Sequence, residues 1–138
     1  MIIGLDAIPL TETKTGVGHY TFELARALAA ASPADEFELI YPSRYEPIDL
    51  RADDGSAPPP NLRATRVEVG SFGRHWWSVG LPRHLRRGRV DLFHGTNYDV
   101  PLWGGRPGVL TVHDLSAFVR PDTMLARRAL RLRRRLPL

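Results

Sequence analysis

Cysteine is absent from this sequence. No disulfide framework and no thiolate chemistry is therefore available to it, and the chain suits a reducing compartment. Long apolar runs are missing as well. None approaches the ~20 residues needed to cross a bilayer as a helix, and the chain opens directly on a strand-like run rather than on a leader pattern. Lysine is nearly missing: Lys14 stands alone against eighteen arginines, a bias that reads as codon usage before function. No two histidines have metal-ligand spacing on one helix, so no metal is expected, and no cofactor. There are no internal repeats.

What is present is an ordinary globular composition. Of 138 residues, 43% are hydrophobic and 25% charged, enough to bury one core without staples and too little charge for global disorder. The net charge is +4, but residues 120–138 hold seven arginines and one aspartate, net +6, which leaves −2 for the rest. The basic character belongs to the last stretch and not to the body of the domain.

Read in order, Ile2-Ile3-Gly4-Leu5-Asp6 is apolar on both faces and predicts a central, buried parallel strand. Asp6 falls at its carboxyl end, where a turn-capping role is the simplest reading. A polar loop to Thr15 follows. Val17, Tyr20, Thr21, Leu24, Leu28 and Ala31 then recur at helical spacing, and Ser32-Pro33 ends the helix. Residues 37–41 predict a second strand. Residues 44–61, with Pro58-Pro59-Pro60, have no periodicity and predict a long surface loop, a candidate mobile segment. A third strand is expected over 62–69. A helix is expected over much of 74–87, stopped by Gly88, with Pro82 either kinking it or starting a second one. Of the adjacent Trp76 and Trp77, only one can face the sheet. Residues 90–94 and 108–114 predict two more strands, the second ending in His113-Asp114. Pro121 opens a last helix with a leucine stripe at Leu125, Leu132 and Leu136, and arginines on its other sides. Alternating strands and helices predict an α/β fold with a Rossmann-like, doubly wound parallel sheet.

Three polar clusters then fall at the carboxyl ends of predicted strands, where ligands bind in such sheets. Gly16-Val17-Gly18-His19-Tyr20 opens the first helix. Its glycines admit close approach, and the unpaired helix N–H groups attract anions. It lacks the third glycine of the dinucleotide fingerprint, Thr21 standing there, and it is no Gly-Lys-Ser/Thr phosphate loop. His94-Gly95-Thr96-Asn97 follows the fourth strand, and His113-Asp114 the fifth. Two histidines beside a glycine turn point to a site rather than to separate structural residues.

With these residues in hand, the chain resembles the N-terminal, acceptor-side domain of a family-4 retaining glycosyltransferase of the GT-B fold. The carrying stretches are Gly16-Val17-Gly18-His19-Tyr20, Asp91-Leu92-Phe93-His94-Gly95-Thr96-Asn97 and Val109-Leu110-Thr111-Val112-His113-Asp114-Leu115. The resemblance implies two Rossmann-like domains facing a cleft, of which residues 1–138 would be the first. The nucleotide-sugar-binding C-terminal domain, with its paired glutamates, would lie outside this chain. It implies transfer of a hexosyl group from a nucleotide-sugar donor to a sugar, polysaccharide or lipid-linked acceptor, with retention and usually without a metal ion. The glycine loop, Gly16 to Tyr20, would meet the donor phosphates on closure. His113 would sit beside the transferred sugar, and Asp114 would fix its tautomer or the loop. His94 and Asn97 would line the acceptor side. His19 stands where many relatives carry arginine. The 138 residues alone are expected to be inactive.

Two readings compete with this one. A non-catalytic α/β module would bind a phosphorylated ligand or a partner protein. The arginines of 127–135 would serve nucleic acid in another reading, but no aromatics interleave with them and no nucleic-acid partner is expected. Peripheral contact of the same helix with anionic membrane fits better. The expected location is the cytoplasm, extending to the inner face of the membrane through that contact.

Overall fold

A computed structural model describes residues 1–13, 15–70, 75–101, 103 and 105–114. The predicted final helix and its arginines lie outside these. The described chain forms one five-stranded sheet, β1 (Ile2–Asp6), β2 (Glu36–Pro42), β3 (Leu62–Val67), β4 (Leu92–Gly95) and β5 (Gly108–Leu110), in the order β3-β2-β1-β4-β5. Every pairing is parallel. This is the α/β, Rossmann-like architecture expected from the alternation of elements.

β1 is central because its side chains suit burial on both faces. Leu5 pairs with Leu39 on one side and with His94 on the other. On one face the helix α1 (Gly16–Ala31) packs over a cluster that includes Leu5, Phe37, Leu39 and Tyr41. On the other, Trp76, Leu81 and Leu85 pack against Ile40, Val90 and Phe93. Helical elements on both faces make the sheet doubly wound.

α1 turns a slightly different face inward from the one its larger apolar residues suggest. The buried residues are Gly18, Thr21, Phe22, Ala25 and Ala29, while Leu24 and Leu28 are half-buried flanks and Tyr20 and Ala31 are exposed. Small alanines bring the helix axis close to the sheet, and the leucines cover the sides. Tyr20 is thereby released toward the sheet's carboxyl edge.

Residues 76–87 are helical, as expected, but not a uniform α-helix. A π-helical turn, Trp76–Gly80, leads into α2 (Leu81–Arg87). Pro82 lies in the first turn of α2, directly behind the π-helical turn, whose last bond runs from Leu81 N–H to the Trp76 carbonyl. Trp76 is buried and Trp77 is half-buried against the same cluster. Gly88 stops α2, its N–H bonding to the His84 carbonyl at 2.7 Å.

Residues 43–61 contain no strand or helix, as expected, but they are tied down. The Arg26 guanidinium donates to the Leu50 carbonyl (2.9 Å), Ser56 Oγ (3.0 Å) and the Ala57 carbonyl (3.2 Å). Tyr45, Ile48 and Leu50 pack on the first core cluster. The β5 strand is shorter than the 108–114 run suggests. Its last ladder bond runs from Thr111 N–H to the Gly95 carbonyl at 2.9 Å. Beyond Gly95 the β4 chain turns away, so residues 112–114 have no strand to pair with. Among the described residues, no helix is long and apolar enough to cross a membrane.

Candidate functional site

The strand order reverses at β1, between β2 and β4, so a crevice is expected at the carboxyl ends of β1 and β4. Two polar residues close its floor. Thr96 Oγ donates to the Asp6 carbonyl at 2.9 Å, both residues buried. The Asp6 carboxylate accepts from Ile8 N–H at 3.1 Å, which is the turn-capping role its position suggests.

Asp6 is only 2% exposed. Burial pushes its carboxyl up to about 7; the Ile8 N–H opposes this, and the charge of Asp99 adds to it. The folded state thus holds this proton more tightly than the unfolded chain does. Its stabilising effect is complete below the ordinary carboxylate pKa of 3.8 and is lost as pH rises through about 7. Asp6→Asn keeps the Oδ1 acceptor and removes the charge. In urea titrations the variant should gain on wild type steadily as pH rises from 4 to about 7, and the gain should then level off. The total gain should be a few kcal/mol, on the order of 1.4 kcal/mol for each pH unit that separates the folded and unfolded pKa values. A stability difference that does not change with pH would contradict the buried proton.

Above this floor a network joins three parts of the chain. The Thr111 hydroxyl lies 2.8 Å from His94 Nε2 and 3.1 Å from the Tyr20 hydroxyl. One hydroxyl can donate to one neighbour while accepting from the other, so Thr111 braces both. Burial lowers the pKa of His94 and favours its neutral ring. His113 is exposed, and its Nε2–H donates to the Thr96 carbonyl at 2.7 Å. Its ring makes edge contacts with Tyr20 and Tyr98, with centroids at 4.9 and 5.8 Å. Tyr98 itself is held at φ 61°, a left-handed conformation rare outside glycine. Its N–H bonds to the Thr111 carbonyl at 3.2 Å and its hydroxyl to the Asp114 carbonyl at 3.3 Å. The helix start, the β4 exit and the β5 exit therefore meet through direct contacts.

The family model described as Glycosyltransferase Family 4 matches residues 14–137, a span that holds every residue of this network. The chain belongs to glycosyltransferase family 4. It is a domain of the N-terminal type. No curated protein and no solved structure matches it.

Within this family-4 domain the sequence-predicted residues divide into two groups. Tyr20, His94 and His113 belong to one network, and Asp114 joins it through its backbone carbonyl. Gly16 is exposed with open space where a Cβ would sit, Val17 is half-buried and Gly18 is buried. The His19 ring is exposed, Asn97 is half-buried, and neither side chain bonds to any described residue. The tautomer of His113 is set by the Thr96 carbonyl; with Nε2 protonated, the lone pair of the neutral ring is on Nδ1. Thr96, Tyr98 and Thr111 are given no role by the sequence, although Thr96 stands in the polar cluster after the fourth strand. Thr96 directly follows a strand end, which is a usable signal, whereas the apolar run around Thr111 reads as the interior of a strand. Among the described residues, no group of three or more His, Asp or Glu could hold a metal ion.

Proposed function

We propose that this domain is the acceptor-side half of a retaining glycosyltransferase that moves a hexosyl group from a nucleotide sugar to an acceptor hydroxyl. The observation that carries this reading is the Tyr20–Thr111–His94 network with His113 beside it, at the carboxyl edge of the sheet. Breaking a glycosyl–phosphate bond builds negative charge on the departing diphosphate. The first N–H groups of α1, at Gly16, Val17 and Gly18, have no intrahelical carbonyl to bond to and sit at the positive end of the helix. Fixed donors of this kind stabilise such charge without reorganising. The open space at Gly16 leaves room for a phosphate to approach.

Nε2 of His113 is engaged by the Thr96 carbonyl, which leaves Nδ1 as the ring's acceptor toward a ligand in this reading. In this reading it accepts a hydrogen bond from a hydroxyl of the transferred sugar. His94 and Asn97 line the acceptor side. The main grip on the nucleotide belongs to a second domain outside these 138 residues. The chain alone then binds donor weakly and transfers nothing. The test is an amide chemical-shift titration of the 138-residue chain with UDP-glucose and GDP-mannose. The expected result is a dissociation constant of about a millimolar or weaker, with shifts at residues 16–20 and 111–113. Micromolar affinity, or shifts only elsewhere, would contradict the proposal.

A further inference from the structure

A cavity of about 360 Å³ lies where the end of β3 meets α2. β3 is two strands removed from β1, on the far side of β2, so this cavity is separate from the network around Thr111. Its size is in the range of small-molecule sites. Val67, Val69 and Val79 give it an apolar lining, and Val79 is 38% exposed. The rest of the lining is mostly basic. Arg83 and Arg87 stand four residues apart on one face of α2, and His84 lies between them in sequence. Like charges at this spacing disfavour a helix. Among the described residues neither guanidinium has a hydrogen-bond, ion-pair or ring partner, although other exposed arginines, Arg51 and Arg63, are paired with carboxylates. His84 Nε2 is buried without a hydrogen-bond partner, 3.9 Å from the nearest Glu38 oxygen. Glu68 is the one acid in the lining, and it bonds to neither arginine.

We infer that this cavity binds a phosphate monoester carried on an apolar group. Two guanidiniums on one helix face can share a phosphate's oxygens, each with paired N–H donors. The valines cover the attached apolar portion. A lipid headgroup and a free phosphorylated molecule share this chemistry.

The test titrates the 138-residue chain with inorganic phosphate, with hexyl phosphate, and with phosphatidylcholine vesicles with and without phosphatidic acid. Hexyl phosphate should bind saturably, at least about tenfold tighter than inorganic phosphate, because its methylenes leave water. The double variant Arg83→Gln/Arg87→Gln should lose at least about tenfold in affinity. Arg86→Gln/Arg89→Gln, exposed and outside the cavity, should lose little. Vesicle binding that depends on phosphatidic acid and on Arg83 and Arg87 assigns the site to a lipid headgroup. Hexyl phosphate binding without vesicle binding assigns it to a soluble ligand. No saturable binding in any arm, or equal losses in the two double variants, overturns the inference. Hexyl phosphate no tighter than inorganic phosphate overturns its apolar half.

Discussion

Gly95→Ala should lower the stability of the domain by at least about 3 kcal/mol, at or beyond the upper end of ordinary overpacking costs. Gly95 is buried at the last position of β4, and the chain then doubles back over it. A Cβ at this position would collide with the backbone carbonyl of Asp99, and it would lie 2.7 Å from Val100 Cγ1. A side chain can rotate out of the way of a new methyl group, but a carbonyl in a turn takes its neighbours with it. Here the neighbours are Thr96, which bonds to Asp6, and Tyr98, already in a left-handed conformation. The Gly95 carbonyl also holds the last rung of β5 through Thr111 N–H. Displacing the turn therefore weakens the sheet edge and the polar network together. Urea denaturation followed by far-UV circular dichroism measures the loss, and absence of a cooperative transition is the same result in its limit. A change within about 0.5 kcal/mol, as at an ordinary surface position, would contradict this packing.

Where local pattern and local structure share a cause, the sequence is easy to read. β1, α1 and β2 fall where hydrophobic runs and helical spacing place them, because each is long enough to express its own period. The doubly wound, parallel sheet follows from that alternation. β5 is harder. Val109 to Val112 looks like a strand, but strand length depends on a partner, and β4 leaves the sheet at Gly95. Thr111 consequently reads as a ladder residue, whereas its hydroxyl braces His94 and Tyr20. The inward face of α1 is misread for a related reason. Alanines bury against the sheet more closely than leucines can, and that preference belongs to the interface rather than to the helix.

The candidate site shows the same division. His94 and His113 are legible because histidines at strand ends are unusual enough to notice, and Tyr20 because it follows a glycine turn. Their contacts are not legible. The bond from His113 to the Thr96 carbonyl joins positions 17 residues apart, and the Tyr20–Thr111 pair spans 91. Only the parallel order of β1, β4 and β5 brings them together. The floor made by Asp6 and Thr96 is a product of that order too, since β1 and β4 are sequence-distant but adjacent in the sheet.

If a second domain completes the transferase as proposed, His113→Ala in the complete enzyme should reduce kcat by about 100-fold or more, the scale of losing one hydrogen-bonding or proton-transferring group at a reacting centre. The ring is exposed, so its removal leaves no buried cavity. The Thr96 carbonyl loses one hydrogen bond, a cost to the fold of about 1 kcal/mol. A thermal melt separates that small structural cost from a loss of chemistry. If the imidazole touches the transferred sugar as the bond changes, kcat falls while the affinity for the nucleotide portion changes little, because uniform binding is untouched. The decisive measurement is the steady-state transfer rate of wild type and His113→Ala at saturating donor and acceptor, with both proteins folded at the assay temperature. A drop of two orders of magnitude or more is the predicted result, and equal rates would contradict the placement of the reaction at this edge of the sheet.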